Sequence, residues 1–137
     1  MTHDPVNHPS HYQSSSGVEC IDVTEHLSFN LGNAFKYVFR RNGKGKPIED
    51  LEKSRWYIAH ERDLWTRLAG IWRPRPIYEP LVHLVEAIAS TEPEPIGNAL
   101  GLIAMAEWSD NRRSDTAIAI IILEREIERL KAPGAVL

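Results

Sequence analysis

The chain has 137 residues, 42% of them hydrophobic and 26% charged, with a formal net charge of -3. That suits one folded domain, or one domain with a modest appendage, and a pI of about 6.1 excludes the basic character of a general nucleic-acid binder. A single cysteine, Cys20, allows no disulfide framework and no four-cysteine zinc site within the chain, as expected of a reducing cytoplasm.

Residues 1–17 are polar and rich in His, Pro and Ser. They hold no apolar core, so they do not read as a secretory signal. Pro5 and Pro9 discourage helix, and Ser14–Gly17 has the composition of a hinge. The segment reads as an extended polar N-terminal arm. Residues 18–27 read as a short helix, with Ser28 as a break or cap. A second helix runs from about Asn30 to Arg41 and ends in the basic loop Asn42–Pro47, where Gly43 and Gly45 supply turn conformations. A long third helix follows to about Leu68 or Ala69. It opens on Pro47, Glu49 and Asp50, which suit the positive end of a helix dipole. Leu51, Ile58, Trp65 and Leu68 form its apolar stripe.

Residues 70–80 hold three prolines and a glycine and read as a linker between two halves. Beyond it, residues 81–90, 96–108 and 115–131 read as helices. The run Ala117–Leu123 is too short to span a bilayer. Taken alone it also fits a buried strand, but its continuation into Glu124–Lys131 favours helix. Ile120, Leu123, Ile127 and Leu130 suit a helix–helix seam. The expected fold is all-α: a compact bundle of five to six helices with the polar arm in front. Residues 18–69 would form its core, with 81–131 packing into the same bundle or serving oligomerisation.

At 100° per residue, Asn30, Asn33, Tyr37, Arg40 and Arg41 share about a quarter to a third of the second helix's circumference, opposite Leu31, Phe35, Val38 and Phe39. This polar face holds amides, a phenol and guanidiniums, and no acid. Arginine forks bind phosphate bidentately, asparagine reads base edges or sugar hydroxyls, and tyrosine stacks. Lys44 and Lys46 extend the charge, and the loop glycines let backbone amides approach an anion. The plainer alternative is that basic residues near a helix C-terminus stabilise its dipole.

His8, His11 and Tyr12 precede the first helix. A His-x-x-His pair suggests metal, but no partner pair completes four ligands. An arm folded over the body, touching a ligand, fits them better. Glu19, Asp22 and His26 share one face of the first helix. The two acids could hold Mg2+ beside phosphates, and pairing with Arg40 and Lys36 is the stronger expectation. On the third helix Trp56 lies on a polar side with Glu52, His60 and Asp63, as a stacking or subunit contact. Asp50, Lys53 and Tyr57 flank it. There is no phosphate-loop signature, no dinucleotide glycine fingerprint and no nucleophile elbow. Glu49 with Glu52, and Glu107 with Asp110, resemble only loosely the acid pairs of all-α NTP pyrophosphatases.

Four blocks, "DPVNHPSHYQ", "GVECIDV", "FNLGNAFKYVFR" and "EDLEKSRWYI", occur in this order over residues 4–62. As a set they resemble a family of tailed-phage proteins of unknown function that includes a phage nucleotide kinase acting on dGMP and dTMP without a phosphate loop. The resemblance implies a nucleotide-binding protein of the host cytoplasm, transferring phosphate from an NTP to a dNMP with Mg2+. Lys36, Arg40, Arg41 and Lys44 would then neutralise phosphates. Asn30, Asn33, Tyr37, Trp56 and Tyr57 would hold base and sugar. His8, His11 and Tyr12 would form a lid, and Glu19 and Asp22 would hold the metal. A homo-oligomer with a site shared between subunits is expected. A protein that sequesters nucleotides or nucleotide signals without turnover is the alternative, and a helical interaction module the third. The loop "RRNGKGK" departs from the family pattern, and residues from about Gly70 show no resemblance.

Overall fold

The chemistry at helix ends sets most boundaries. The computed structural model describes residues 4–71 and 75–135. Residues 1–3 of the arm, 72–74 of the linker and 136–137 of the tail lie outside the described residues. Six α-helices follow in order: α1 (Cys20–Thr24), α2 (Phe29–Arg40), α3 (Pro47–Arg67), α4 (Leu81–Ala89), α5 (Glu94–Met105) and α6 (Arg112–Lys131). Short 3-10 turns lie at Ser10–Tyr12 and Ala106–Trp108. The fold is all-α, as the sequence leads one to expect.

α3 starts with Pro47 in its first turn and Glu49 and Asp50 behind it, and α5 repeats the device with Glu94 and Pro95. Pro at that position loses no helical hydrogen bond, and the acids meet the positive dipole end. Ala117–Leu123 lies inside α6, which buries Thr116, Ala119, Leu123 and Ile127 along one side. α1 is shorter than the expected 18–27. Glu19 caps it, its carboxylate accepting the Asp22 amide while the Asp22 carboxylate accepts the Glu19 amide at 2.8 Å. That reciprocal cap fixes the helix start at Cys20. The helix expected over 96–108 breaks after Met105 into the 3-10 turn.

α2 and α3 form an antiparallel hairpin: Arg40 meets Asp50 beside the connecting loop, and Asn30 meets Glu61 at the far end. Its apolar side carries Leu31, Phe35 and Val38 from α2 and Leu51, Ile58 and Trp65 from α3. These join Ile96, Leu100 and Ile103 of α5, and Leu123 and Ile127 of α6, in one core. α5 packs against α2, and α6 against α3. The second half is therefore the other wall of the same bundle.

Residues at the linker's end fasten the two halves. Arg75 donates to the Glu107 carboxylate and to the His26 carbonyl, both at 2.9 Å. Trp108 Nε1 donates to the Arg75 carbonyl at 2.7 Å, and Tyr78 stacks on His26 with ring centres 4.2 Å apart. Among the described residues no helix is long and apolar enough to cross a membrane.

Candidate functional site

Because α2 turns Leu31, Phe35 and Val38 into the core, its opposite side carries Lys36, Tyr37 and Arg40 outward. The antiparallel register brings α3 residues Lys53 and Tyr57 alongside. Tyr37 becomes the centre of a cluster. Lys36 Nζ, Lys53 Nζ and the Arg40 guanidinium lie 4.4, 5.3 and 5.6 Å from its ring centre. Tyr57 lies nearly parallel to Tyr37, with ring centres 6.0 Å apart.

Two of the three cations have acidic partners. Lys53 pairs with Glu49 at 3.1 Å, one helical turn away. That hydrogen bond, with the Lys53 and Lys46 charges, holds the Glu49 carboxyl below its ordinary value. Arg40 Nε lies 3.4 Å from Asp50 Oδ2, yet both atoms are buried without a hydrogen bond among the described residues. Burial works against the Arg40 charge, but the Tyr12 hydroxyl and the Asp50 charge outweigh it and hold the guanidinium's pKa above its ordinary value. Lys36 makes no ion pair among the described residues. The cluster thus gathers like charges around one ring and leaves one of them unmatched, an arrangement an anion would relieve.

The arm folds back over this end of the hairpin. Arg40 Nη1 donates to the Tyr12 hydroxyl at 3.1 Å. His11 packs on the α2–α3 loop at Gly43, where a Cβ would lie 2.5 Å from the His11 Cβ. His8 Nδ1 meets Glu19 Oε1 at 2.6 Å. A pocket of about 370 Å³ opens under the arm, with Tyr12, Glu19, Cys20 and Lys36 in its wall. Burial pushes the Cys20 thiol up to about 12, against the opposing pull of the Lys36 charge.

Several expected site residues lie elsewhere or are engaged. Arg41 is 6% exposed and turned away from Arg40. It donates to the Val38 carbonyl at 3.1 Å and pairs with Glu92 at 2.7 Å, across the bundle. Adjacent helical residues point 100° apart, and the 51-residue reach to Glu92 draws Arg41 inward. Glu19 and Asp22 pair with neither Arg40 nor Lys36: Glu19 holds His8, and both carboxylates are used in the α1 cap. Among the described residues no three His, Cys, Asp or Glu gather into one group. Asn30 donates to Glu61 at 3.3 Å, and Asn33 to the Phe29 carbonyl at 2.9 Å. Trp56, 58% exposed, stacks on His60 with ring centres 4.9 Å apart, stands edge-on to Tyr57, and lines a cleft together with Lys53. Lys44 is exposed in the loop.

Sequence reasoning missed Lys53 as a member of the cluster, and it missed Glu61. The Glu49–Lys53 spacing is visible in the sequence, and an antiparallel hairpin closed by a six-residue loop would have set Lys53 opposite Tyr37. Glu61 is 3% exposed and accepts from Ser28 at 2.8 Å as well as from Asn30. A lone glutamate amid a charged helix carries no such signal.

Residues 6–59 match the model of a family described as "protein of unknown function (DUF3310)". The matched stretch contains most of the arm, α1, α2 and the first 13 residues of α3, and with them every residue of the cluster around Tyr37. The description names no activity. Neither the curated proteins nor the solved structures include a match to the chain.

Proposed function

We propose that the outer face of the α2–α3 hairpin binds a nucleotide, with phosphates on Lys36, Arg40 and Lys53 and the base against Tyr37 and Tyr57. The observation that carries this reading is the convergence of three cations on one tyrosine ring, with Lys36 unmatched by any acid among the described residues. A structural role alone would favour alternating charge on such a face. Tyr12 completes the reading as part of a lid, since its hydroxyl is already bonded to Arg40.

The proposed activity is phosphoryl transfer from an NTP to a dNMP, as the sequence resemblance suggests. An oxygen of the monophosphate attacks the γ-phosphorus, the bond to the β–γ bridging oxygen breaks, and the diphosphate leaves with the electron pair. The attacking oxygen is already anionic, so no protein base is required. Positioning and charge neutralisation supply most of the effect in such chemistry, and the three cations are suited to both. Mg2+ enters the proposal only as a companion of the NTP phosphates.

Sequestration without turnover is the second reading. It is favoured by the capping box, which engages both acids expected to hold a metal. Thermal-shift binding with each nucleotide, followed by product analysis with ATP and each dNMP, tests both. Diphosphate formation that is lost in Arg40→Ala supports the kinase. Binding without product supports sequestration. No stabilisation by any nucleotide, in wild type or in Arg40→Ala, would defeat both and leave the interaction module.

A further inference from the structure

The helices beyond the family match carry a surface of their own. α6 turns Thr116, Ala119, Leu123 and Ile127 into the core, and Ile120 and Glu124 towards the cleft it shares with α3. An apolar stripe is left outside. Ile118 and Ile121 are 48% and 47% exposed. Ile118 and Ile122, with Leu102 and Met105 of α5, line a groove of about 450 Å³ between the two helices. Gly101 keeps the α5 side of that groove low, since a Cβ there would meet nothing within 4 Å.

Charges of opposite sign bracket the isoleucines. Asp115 lies three residues before Ile118 and Arg125 three residues after Ile122, all on one side of the helix. Asp115 accepts from the Ser109 hydroxyl but has no ion pair among the described residues, and the exposed Arg125 has neither hydrogen bond nor ion pair there. Ile118 and Ile122 are centred on the level of residue 120, and so are Asp115 and Arg125. A second α6 laid antiparallel about a two-fold axis at that level sets Ile118 against Ile122 and Asp115 against Arg125, each contact made twice. Ile121, one residue from the axis, then approaches its own copy. Sliding the pair by one heptad sets isoleucine against charge, and a parallel pair sets Asp115 on Asp115 and Arg125 on Arg125. The stripe is therefore complementary to itself in the antiparallel register centred on residue 120.

We infer that the outer stripe of α6 joins two copies of this chain as a two-fold dimer, with the two α6 helices antiparallel. Burial of the isoleucines drives the contact, and the paired charges fix its register. The stripe holds no residue of the cluster around Tyr37, so the inference stands apart from the nucleotide reading, and the two are separable by mutation.

Sedimentation equilibrium of the full chain over a concentration series tests it. The wild type should approach twice its mass of 15.6 kDa. Arg125→Asp makes both stripe charges acidic and Asp115→Arg makes both basic, so each alone should raise the dimer dissociation constant about tenfold or more. An equimolar mixture of the two should regain the wild-type affinity as a heterodimer, in which every charged contact is again Asp to Arg. Ile121→Arg, at an exposed position, should weaken the dimer by a similar factor while circular dichroism shows the helices intact. Oxidative cross-linking decides the register even if a charge reversal fails to fold: Ile118→Cys mixed with Ile122→Cys should cross-link in higher yield than either alone. A wild type that stays monomeric throughout the series overturns the inference, as does an unchanged dimer in Ile121→Arg. Charge variants that weaken the dimer but stay apart when mixed, or equal cross-linking in the mixture and the single variants, overturn the antiparallel arrangement and the inference with it.

Discussion

Arg41 and Arg40 are neighbours in sequence, and the structure gives them opposite tasks, which makes Arg41→Met an incisive perturbation. The Arg41 side chain is 7% exposed and its partner Glu92 is 18% exposed. Removing one member of a buried pair strands the other, at a cost of about 3–5 kcal/mol. Glu92 retains some contact with water, and methionine keeps the aliphatic stem, so the lower end applies, about 3 kcal/mol. A chain of 137 residues has an unfolding entropy near 0.29 kcal/mol/K at about 2.1 cal/mol/K per residue, which converts that loss to a fall in Tm of about 10 °C. Differential scanning fluorimetry measures it. In Arg41→Met/Glu92→Leu the stranded charge is gone, and most of the loss should return. Nucleotide affinity should change by less than about threefold in Arg41→Met at a temperature where it is folded. A Tm within about 2 °C of wild type, joined to a tenfold loss of affinity, would show that Arg41 faces the ligand and that its inward assignment to Glu92 is mistaken.

Three further outcomes follow from local geometry. Burial raises the Cys20 pKa from its ordinary 9.0 to about 12, so the folded chain keeps a proton that the unfolded chain releases. The associated stability is full below pH 9 and is lost between pH 9 and 12, at up to ~1.4 kcal/mol per pH unit. Urea unfolding at pH 7.5, 9.5 and 10.5 should therefore fall more steeply for wild type than for Cys20→Ala, and equal slopes would contradict the burial. Gly43→Ala drives a Cβ to 2.5 Å from the His11 Cβ. The arm should lift, with a cost of about 1–3 kcal/mol and faster protease cleavage within residues 4–13; unchanged cleavage would mean that the arm is not docked there. Gly97→Ala sets a Cβ 2.7 Å from the Ala89 carbonyl oxygen. It should cost about 1–3 kcal/mol in chemical denaturation by forcing α4 from α5, and a neutral result would mean that these helices are less closely packed.

The helices were legible where end chemistry agreed with periodicity. Pro47, Glu49 and Asp50 announce α3, and the glycines of the preceding loop close α2. For α1 the expected span 18–27 overlooks the Glu19–Asp22 spacing, itself a cap signature, which sets the start at Cys20. The polar face of α2 was legible as a set, and Tyr37 with Arg40 belongs to the cluster. Arg41, Asn30 and Glu61 were not legible, because their partners are remote in sequence: 51 residues separate Arg41 from Glu92, and 31 separate Asn30 from Glu61. A helical wheel gives the direction of a side chain and omits what the fold places there.

The stretch that matches the family ends at residue 59, within α3, yet that stretch alone has no way to hide its apolar side. Leu31, Phe35 and Val38 of α2, and Leu51 and Ile58 of α3, are fully buried, and α5 and α6 supply much of their cover. An antiparallel hairpin with that much exposed hydrocarbon would not hold its register alone. Register matters here because a turn's displacement of α3 would carry Lys53 and Tyr57 away from Tyr37. The helices beyond residue 80 thus act on the site mainly by fixing where α2 and α3 lie. They also approach directly: Glu124 of α6 reaches Arg55 at 3.8 Å, and Ile120 and Glu124 line a cleft with Lys53 and Trp56. The division is mechanical: one side of the hairpin is committed to packing, and its rigidity leaves the other free to concentrate like charges that a looser scaffold would let drift apart.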